Sequence, residues 1–356
     1  MLVDTLERLL FTAGPVEVRR DVLNAMTKPM ITHRGSDYKK LHRSVVEKLR
    51  ELLGTENDIF LIPASSTGVM EAGVRSAVSK RILHLTCGSF AERWVEISRS
   101  NGKEATVVSA EWGKAVTPEM IGDAAESVEA VTLTHNESST GVMSPLDGIA
   151  SCLKKTPGVL LMVDAVTSAF GNIIDMNTVK PDLLLFGTQK ALALPPGLAI
   201  AVVSERLLER ARTVANRGRY LDLVEIKEFA DRDLVPTTPP ISLIFALDYQ
   251  LDRIIQEGMK KRADRHRMLG EMARRWASER MGVFSQDGFH SNTITCVNNT
   301  SGMDFGQIDD GLMKRGYQIA EGYGKLKSAT FRIGHMGDLT TDEMGGMLDA
   351  LSEVTG

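Results

Sequence analysis

Cysteine is scarce. Cys87, Cys152 and Cys296 are the only three, an odd number set far apart, and no CxxC occurs. Nothing indicates a disulfide framework or a zinc site, no metal is expected, and a reducing cytoplasm fits. Net charge is small, -4 over 356 residues. No basic excess points to nucleic acid or a membrane surface as a partner. Long apolar runs are missing too. Ala191 to Val203 is the longest weakly polar stretch; it holds two prolines and is too short to span a bilayer. The start, Met1-Leu-Val-Asp-Thr-Leu-Glu-Arg8, is acidic where a signal peptide would be basic. No GxGxxG follows a strand-like run, which counts against a non-enzymatic dinucleotide-binding domain. Repeats and low-complexity segments are absent.

What is present is ordinary for a soluble globular chain, with 43% hydrophobic and 25% charged residues. The length suggests a large domain and a smaller one. The central stretch is Leu183-Leu-Leu-Phe-Gly-Thr-Gln-Lys-Ala-Leu-Ala-Leu-Pro-Pro-Gly197. Its first four residues read as a strand buried on both faces, stopped by Gly187. Lys190 stands alone among small and apolar neighbours. Upstream, Val159 to Val163 reads as a second buried strand that ends on Asp164. A lysine and an acid at neighbouring strand ends suit one cofactor, pyridoxal phosphate (PLP). It needs an amine for its Schiff base and a carboxylate to keep its ring nitrogen protonated. The alternative is a lysine that snorkels to solvent.

Taken in order, residues 1–10 read as a short amphipathic helix, and Val16 to Met26 as another. Thr32-His-Arg-Gly-Ser36 is a polar loop. A helix follows from Asp37, with apolar residues at helical spacing up to Leu53 and Gly54 as its cap. Ile59–Ile62 is a strand. Pro63-Ala-Ser-Ser-Thr-Gly68 then opens onto a helix, which makes an anion site or an ordinary hydroxyl cap; no P-loop lysine follows. Strands are expected at Arg81–Leu85, Ala105–Ser109, Val128–Thr134 and Leu198–Val203, with a helix at Leu146–Leu153. This alternation predicts a doubly wound, mostly parallel sheet whose loops after Ile62, Leu85, Thr134, Val163 and Phe186 gather at one edge. Beyond Tyr220, Arg232 to Pro240 reads as a linker. Helices Ile241–Glu257 and Met259–Arg280 come next, the second with a solvated charged face. Strands at Thr293–Val297 and Thr330–Ile333, with helices at Ile308–Arg315 and Glu343–Val354, complete a small α+β unit.

Four segments in this order resemble the class V aminotransferases among fold-type I PLP enzymes, especially the alanine–glyoxylate and serine–pyruvate group. They are Thr134-His-Asn-Glu-Ser-Ser-Thr-Gly-Val142, Val163-Asp-Ala-Val166, Gly187-Thr-Gln-Lys-Ala191 with Pro195-Pro-Gly197, and Phe331-Arg-Ile-Gly334. The resemblance implies that Lys190 carries the cofactor and shuttles the proton, with Asp164 on the ring nitrogen. It implies Val166 and Phe90 on the two ring faces, Ser138 on the phenolic oxygen, and Ser66, Thr67 and Gln189 on the phosphate. Thr238, or the adjacent Thr237, would reach the phosphate of a neighbouring subunit, so a homodimer with shared sites is expected. Arg332 would clamp the substrate carboxylate with its two-donor fork. Phe11-Thr-Ala-Gly-Pro15 and His33-Arg34 look instead like phosphoserine aminotransferases, where such a pair meets the substrate phosphate. A solvated loop is the other reading of His33 and Arg34.

The expected division is an N-terminal segment 1–14, a large PLP-binding domain 15–235, and a linker helix with a small domain over 236–356. The expected activity is amino transfer from alanine or serine to glyoxylate or pyruvate. Phosphoserine transamination is the alternative. A PLP lyase or cysteine desulfurase ranks lower, because Cys296 falls in a strand and not on a mobile loop.

Overall fold

The computed structural model describes residues 8–356. Its centre is a seven-stranded sheet: β1 (Asp58–Ile62), β2 (Arg81–Thr86), β3 (Glu104–Ser109), β4 (Ala130–Thr134), β5 (Leu160–Asp164), β6 (Leu183–Gly187) and β7 (Ala199–Val203). Spatial order is β1-β7-β6-β5-β4-β2-β3, with β7 antiparallel to both neighbours and the other six strands mutually parallel. Every residue of β4, β5, β6 and β7 is buried, as unbroken Leu/Val/Ala runs require when helices cover both faces. The C-terminal ends of β1, β2, β4, β5 and β6 share one edge, so the five loops expected to gather there do.

Three helices position the site: α1 (Ser36–Leu53), α2 (Ser66–Ala77) and α3 (Ser89–Ser100). Helix α1 buries Tyr38, Leu41, Val45, Leu49 and Leu53 at helical spacing and stops at Gly54, whose φ of 63° is left-handed. Later, α4 (Ile241–Glu257) packs Leu243, Ile244, Leu247, Leu251 and Ile254 into the core on one face of the large sheet. It runs into α5 (Met259–Arg280).

The C-terminal unit is a three-stranded antiparallel sheet with β10 (Thr330–Gly334) between β8 (Ile294–Asn298) and β9 (Ala320–Glu321). Its own core joins Leu269, Trp276, Phe331, Ile333 and Met344 with a residue from the other end of the chain, Phe11. Leu9–Leu10 pairs in parallel with Tyr317–Gln318, and Gly334 N–H donates to Phe11 O at 2.7 Å. A Cβ on Gly334 would lie 1.9 Å from Thr12 O, so glycine is required for this crossing.

Several expectations change. The helix expected over residues 1–10 lies partly outside the described residues, and Leu9–Leu10 is strand because its backbone pairs with a distant segment. The helix expected over Val16 to Met26 is confined to Arg20–Ala25. Leu223–Ala230 is an additional helix. The charged face of α5 is not wholly solvated. Arg262 is 1% exposed and His266 is fully buried. The Arg262 guanidinium donates to Glu257 (2.7 Å), Asp338 (3.0 Å) and the Ala191 carbonyl (2.6 Å). A charge count along α5 cannot reveal that its acceptors come from other segments. Among the described residues no helix is long and apolar enough to cross a membrane.

Candidate active site

Lys190 follows β6 in a tightly wound loop. Thr188 Oγ1 donates to Pro195 O (2.7 Å), and Ala193 N–H donates to Lys190 O (2.8 Å). The lysine ammonium donates to Ala13 O, in the bend that follows the paired segment Leu9–Leu10. Gly14 lies against it with φ 103°, and a Cβ there would come within 2.7 Å of the lysine side chain. The Gly-Pro turn near the N-terminus therefore makes room for Lys190. Burial first, then the Arg332 cation, pull Lys190 down to about 8, against the opposing pull of Asp164.

Asp164 ends β5, one strand over, and is 4% exposed. Val166 N–H donates to its Oδ1 at 2.8 Å. Burial, with the Glu137 charge adding to it, pushes Asp164 up to about 7, while Val166 N–H, Lys190 and Arg93 pull down. A cationic ring N–H would satisfy this carboxylate.

Both groups line one cavity of about 190 Å³ together with Ser66, Thr67, Phe90, Ser138, Val166 and Gln189. Eight of the expected cofactor residues thus converge within one chain. At the phosphate end, Ser65 caps α2 by accepting from Thr67 N–H (3.2 Å). A Cβ on Gly187 would lie 2.5 Å from Gln189 Oε1 and 2.7 Å from Ser66 Oγ, so that glycine leaves room for both polar groups. Ser66 Oγ, Thr134 Oγ1 and both polar atoms of the Asn136 amide are buried here without a protein partner. Buried polar groups want partners. Neutral donors at a helix N-terminus, an amine and a buried acid fit the phosphate, aldehyde and ring nitrogen of PLP.

Arg332 lies on β10, paired with Cys296 and Ala320. Its Nε donates to Glu321 O (2.9 Å) and its Nη1 to Ser138 O (3.2 Å), which brings it to the cavity from the C-terminal unit. Cys296 is buried within β8, and its thiol is pushed up to about 11 by burial. A thiol so held is no thiolate nucleophile.

Three expected residues are not brought to this cavity within one chain. Arg34 donates to Val235 O (2.6 Å) and Pro236 O (2.9 Å), and its guanidinium lies 5.4 Å from the Phe229 ring centre. His33 is half-buried beside it, and Thr238 is exposed.

Three residues beyond the sequence reading belong to the site. Glu137 is fully buried and accepts from Phe90 N–H, Ala91 N–H (2.9 Å), Ser139 N–H and Ser139 Oγ (2.6 Å). It caps the start of α3 and thereby sets Phe90. Tyr323 stacks on Phe90, 5.1 Å between ring centres at 20°, and lies below the Arg332 guanidinium. Arg93, one turn after Phe90, lines the cavity. Glu137 stands inside the Thr134–Val142 motif, but only its burial shows its task. Tyr323 and Arg93 carry no sequence signal of their own.

The class-V aminotransferase family model matches residues 10–322. An uncharacterized aminotransferase of Methanocaldococcus jannaschii is 35% identical, over 95% of this chain and 90% of that protein. The serine–glyoxylate aminotransferase of Methylorubrum extorquens is 30% identical, over 93% and 86%. Among solved structures, an alanine–glyoxylate aminotransferase from Nostoc sp. superposes with a TM-score of 0.92 at 26% identity, covering 100% of this chain and 97% of that one. A phosphoserine aminotransferase from Cytophaga hutchinsonii superposes with a TM-score of 0.92, also at 26% identity, covering 98% and 99%. Motif match and superposition run nearly the length of the chain and agree: it belongs to the class-V aminotransferases, fold-type I transaminases that use pyridoxal phosphate.

Proposed function

We propose that the enzyme moves an amino group from alanine or serine to glyoxylate or pyruvate. The observation that carries the choice is the placement of the carboxylate clamp: Arg332 donates to the carbonyl of the cavity residue Ser138, whereas the Arg34 guanidinium is tied to the Val235 and Pro236 carbonyls. The serine–glyoxylate and alanine–glyoxylate similarities support the same reading.

Bound PLP supplies an electron sink that stabilises negative charge at the substrate α-carbon. Lys190 would be the base that takes and returns the proton once the cofactor is bound, with no diffusion step because the amine is already in place. Asp164 holds the proton on the ring nitrogen. Val166 and Phe90 bracket the ring, Ser138 donates toward the phenolic oxygen, and Ser66, Thr67 and Gln189 donate to the phosphate. Arg332 orients the amino acid through its α-carboxylate. Thr238 reaches the phosphate of a second subunit in a homodimer. Residues 15–235 form the PLP-binding domain, and 236–356 supply the linker helix and substrate clamp. The free cysteines suit a cytoplasmic location.

The test is a pair of variants against two substrate couples, alanine with glyoxylate and phosphoserine with 2-oxoglutarate. Loss of a desolvated, charge-assisted contact costs about 2–5 kcal/mol. Arg332→Ala should therefore lower kcat/KM by roughly thirty-fold to several thousand-fold, with Arg332→Lys recovering part. Arg34→Ala should change alanine–glyoxylate efficiency by less than about tenfold, because a small substrate offers no second anion. A large loss confined to phosphoserine in Arg34→Ala would establish the phosphoserine reading instead.

A further inference from the structure

We propose that Arg93 binds the cofactor phosphate, as the permanent cation that balances its charge at the start of α2. The assignment rests on PLP as cofactor and is independent of which amino acid is the donor. Arg93 Nη1 donates to Thr67 Oγ1 at 3.2 Å, so the guanidinium sits one hydroxyl away from the cradle built by Ser66, Thr67 and Gln189. Ser66 Oγ, in a residue 7% exposed, has no protein partner. Two independent features of the cradle, a cation and an orphaned donor, therefore await an anion.

The charges support this. A phosphate monoester carries roughly -1.5 to -2 at neutral pH. The N-terminus of a helix offers only about half a positive charge. The remaining donors, Ser66, Thr67 and Gln189, are neutral, and Lys190 is committed to the aldehyde. Among the described residues no carboxylate pairs with Arg93. Its helix neighbour Glu92 accepts instead from Trp112 Nε1 at 2.9 Å. Arg93 is half-buried at the cavity wall, so its charge is available to an anion bound there.

Arg93 is also held ready. Its guanidinium lies 4.8 Å from the Phe90 ring centre, and Nη2 donates to Tyr323 OH at 3.2 Å. The fork has five N–H groups, and these two bonds use two of them. The others are free for phosphate oxygens, while the stack on Phe90 limits the entropy lost on binding.

The test compares PLP with pyridoxal, which lacks the phosphate, by absorbance and tryptophan fluorescence titration of the full-length, cofactor-depleted protein. Arg93→Met keeps the length and removes the charge. Its Kd for PLP should rise roughly ten- to a hundredfold, the range for losing one hydrogen-bonded charge, with Arg93→Lys in between. Its Kd for pyridoxal should stay within about twofold, since pyridoxal never meets the guanidinium. Inorganic phosphate should compete with PLP in wild type and less well in Arg93→Met. Equal weakening of PLP and pyridoxal would make Arg93 a prop for Phe90 and overturn the proposal. Unchanged affinities for both PLP and pyridoxal would show that the guanidinium does not meet the phosphate and overturn it too. If Arg93→Met does not fold, Arg93→Lys decides, since only a phosphate contact weakens PLP selectively. A wild type inactive with alanine and glyoxylate would sink the donor assignment and leave this titration unaffected.

Discussion

Lys190 illustrates how burial converts an ordinary residue into a reactive one. Desolvation disfavours the ammonium, and the Arg332 cation adds to that, so the amine loses its proton at about 8 instead of 10.5. The sign has a measurable consequence. Below about 8 the amine is protonated and cannot attack an aldehyde. The rate at which cofactor-depleted protein captures PLP should climb by about tenfold per pH unit, then level off above that value. Stopped-flow absorbance between acid and alkaline pH tests this; a rate still rising steeply to the ordinary lysine range would refute the shift. The site of attachment is checked separately. The loaded protein should be yellow, and borohydride should fix a pyridoxyl group on the Lys190 peptide. Label on another lysine, or colour retained in Lys190→Ala, would exclude Lys190.

At the scale of elements, α5 matters more than its composition suggests. Arg262 ties the helix to Asp338 and to Ala191 O, the residue after the active lysine. Gln250 on α4 donates to Leu192 O (3.0 Å) and to Asp338 (3.1 Å), so the lysine loop is held from two helices. Burial would raise the Asp338 carboxyl, but Arg262, Gln250 and Arg253 outweigh it and hold it down at about 2. A folded pKa below the unfolded 3.8 means stability fully present above that value and lost as pH falls through about 2. Without Arg262, Asp338 keeps Arg253 and Gln250, and Glu257 keeps Arg265, so the loss is partial. Arg262→Met should cost about 1–3 kcal/mol, the range for lost hydrogen bonds to charged groups, and move acid unfolding to higher pH. Thermal and acid unfolding followed by circular dichroism measure both. An unchanged acid midpoint would mean that the pair contributes nothing.

At the scale of the whole molecule, one chain assembles most of a site but not every group assigned to it. Thr238 is exposed, and Arg34 holds the adjacent Val235–Pro236 backbone. Thr237-Thr-Pro-Pro240 is a stiff segment that a twofold axis would use twice. Sedimentation should show a homodimer at micromolar concentration with no stable monomer. Thr238→Val should weaken PLP binding by roughly the tenfold of one lost hydrogen bond to a charge. A fully active monomer would contradict shared sites.

The sheet, the edge at which its loops meet and most of the residues that line the cavity were legible in the chain alone. Unbroken runs such as Leu183–Phe186 can be stable only between two layers of helix, and two of them announce their ends, one at Gly187 and one at Asp164. Lys190 and Asp164 were legible because their types and their positions after strands are local facts, while Ser66 and Gln189 took their roles from the resemblance to the family. The tertiary structure decided what depends on distant partners. Leu9–Leu10 became strand through Tyr317–Gln318, and Gly14 acquired its purpose from Lys190, far along the chain. Arg262 left the solvent because Glu257, Asp338 and a carbonyl waited for it. Glu137 and Arg93 look like any surface charges until α3 is laid against the Thr134–Val142 loop and the start of α2. Periodicity records which face of an element is apolar. It holds no record of which buried charge will meet which acceptor, because that depends on crossings the local pattern does not encode.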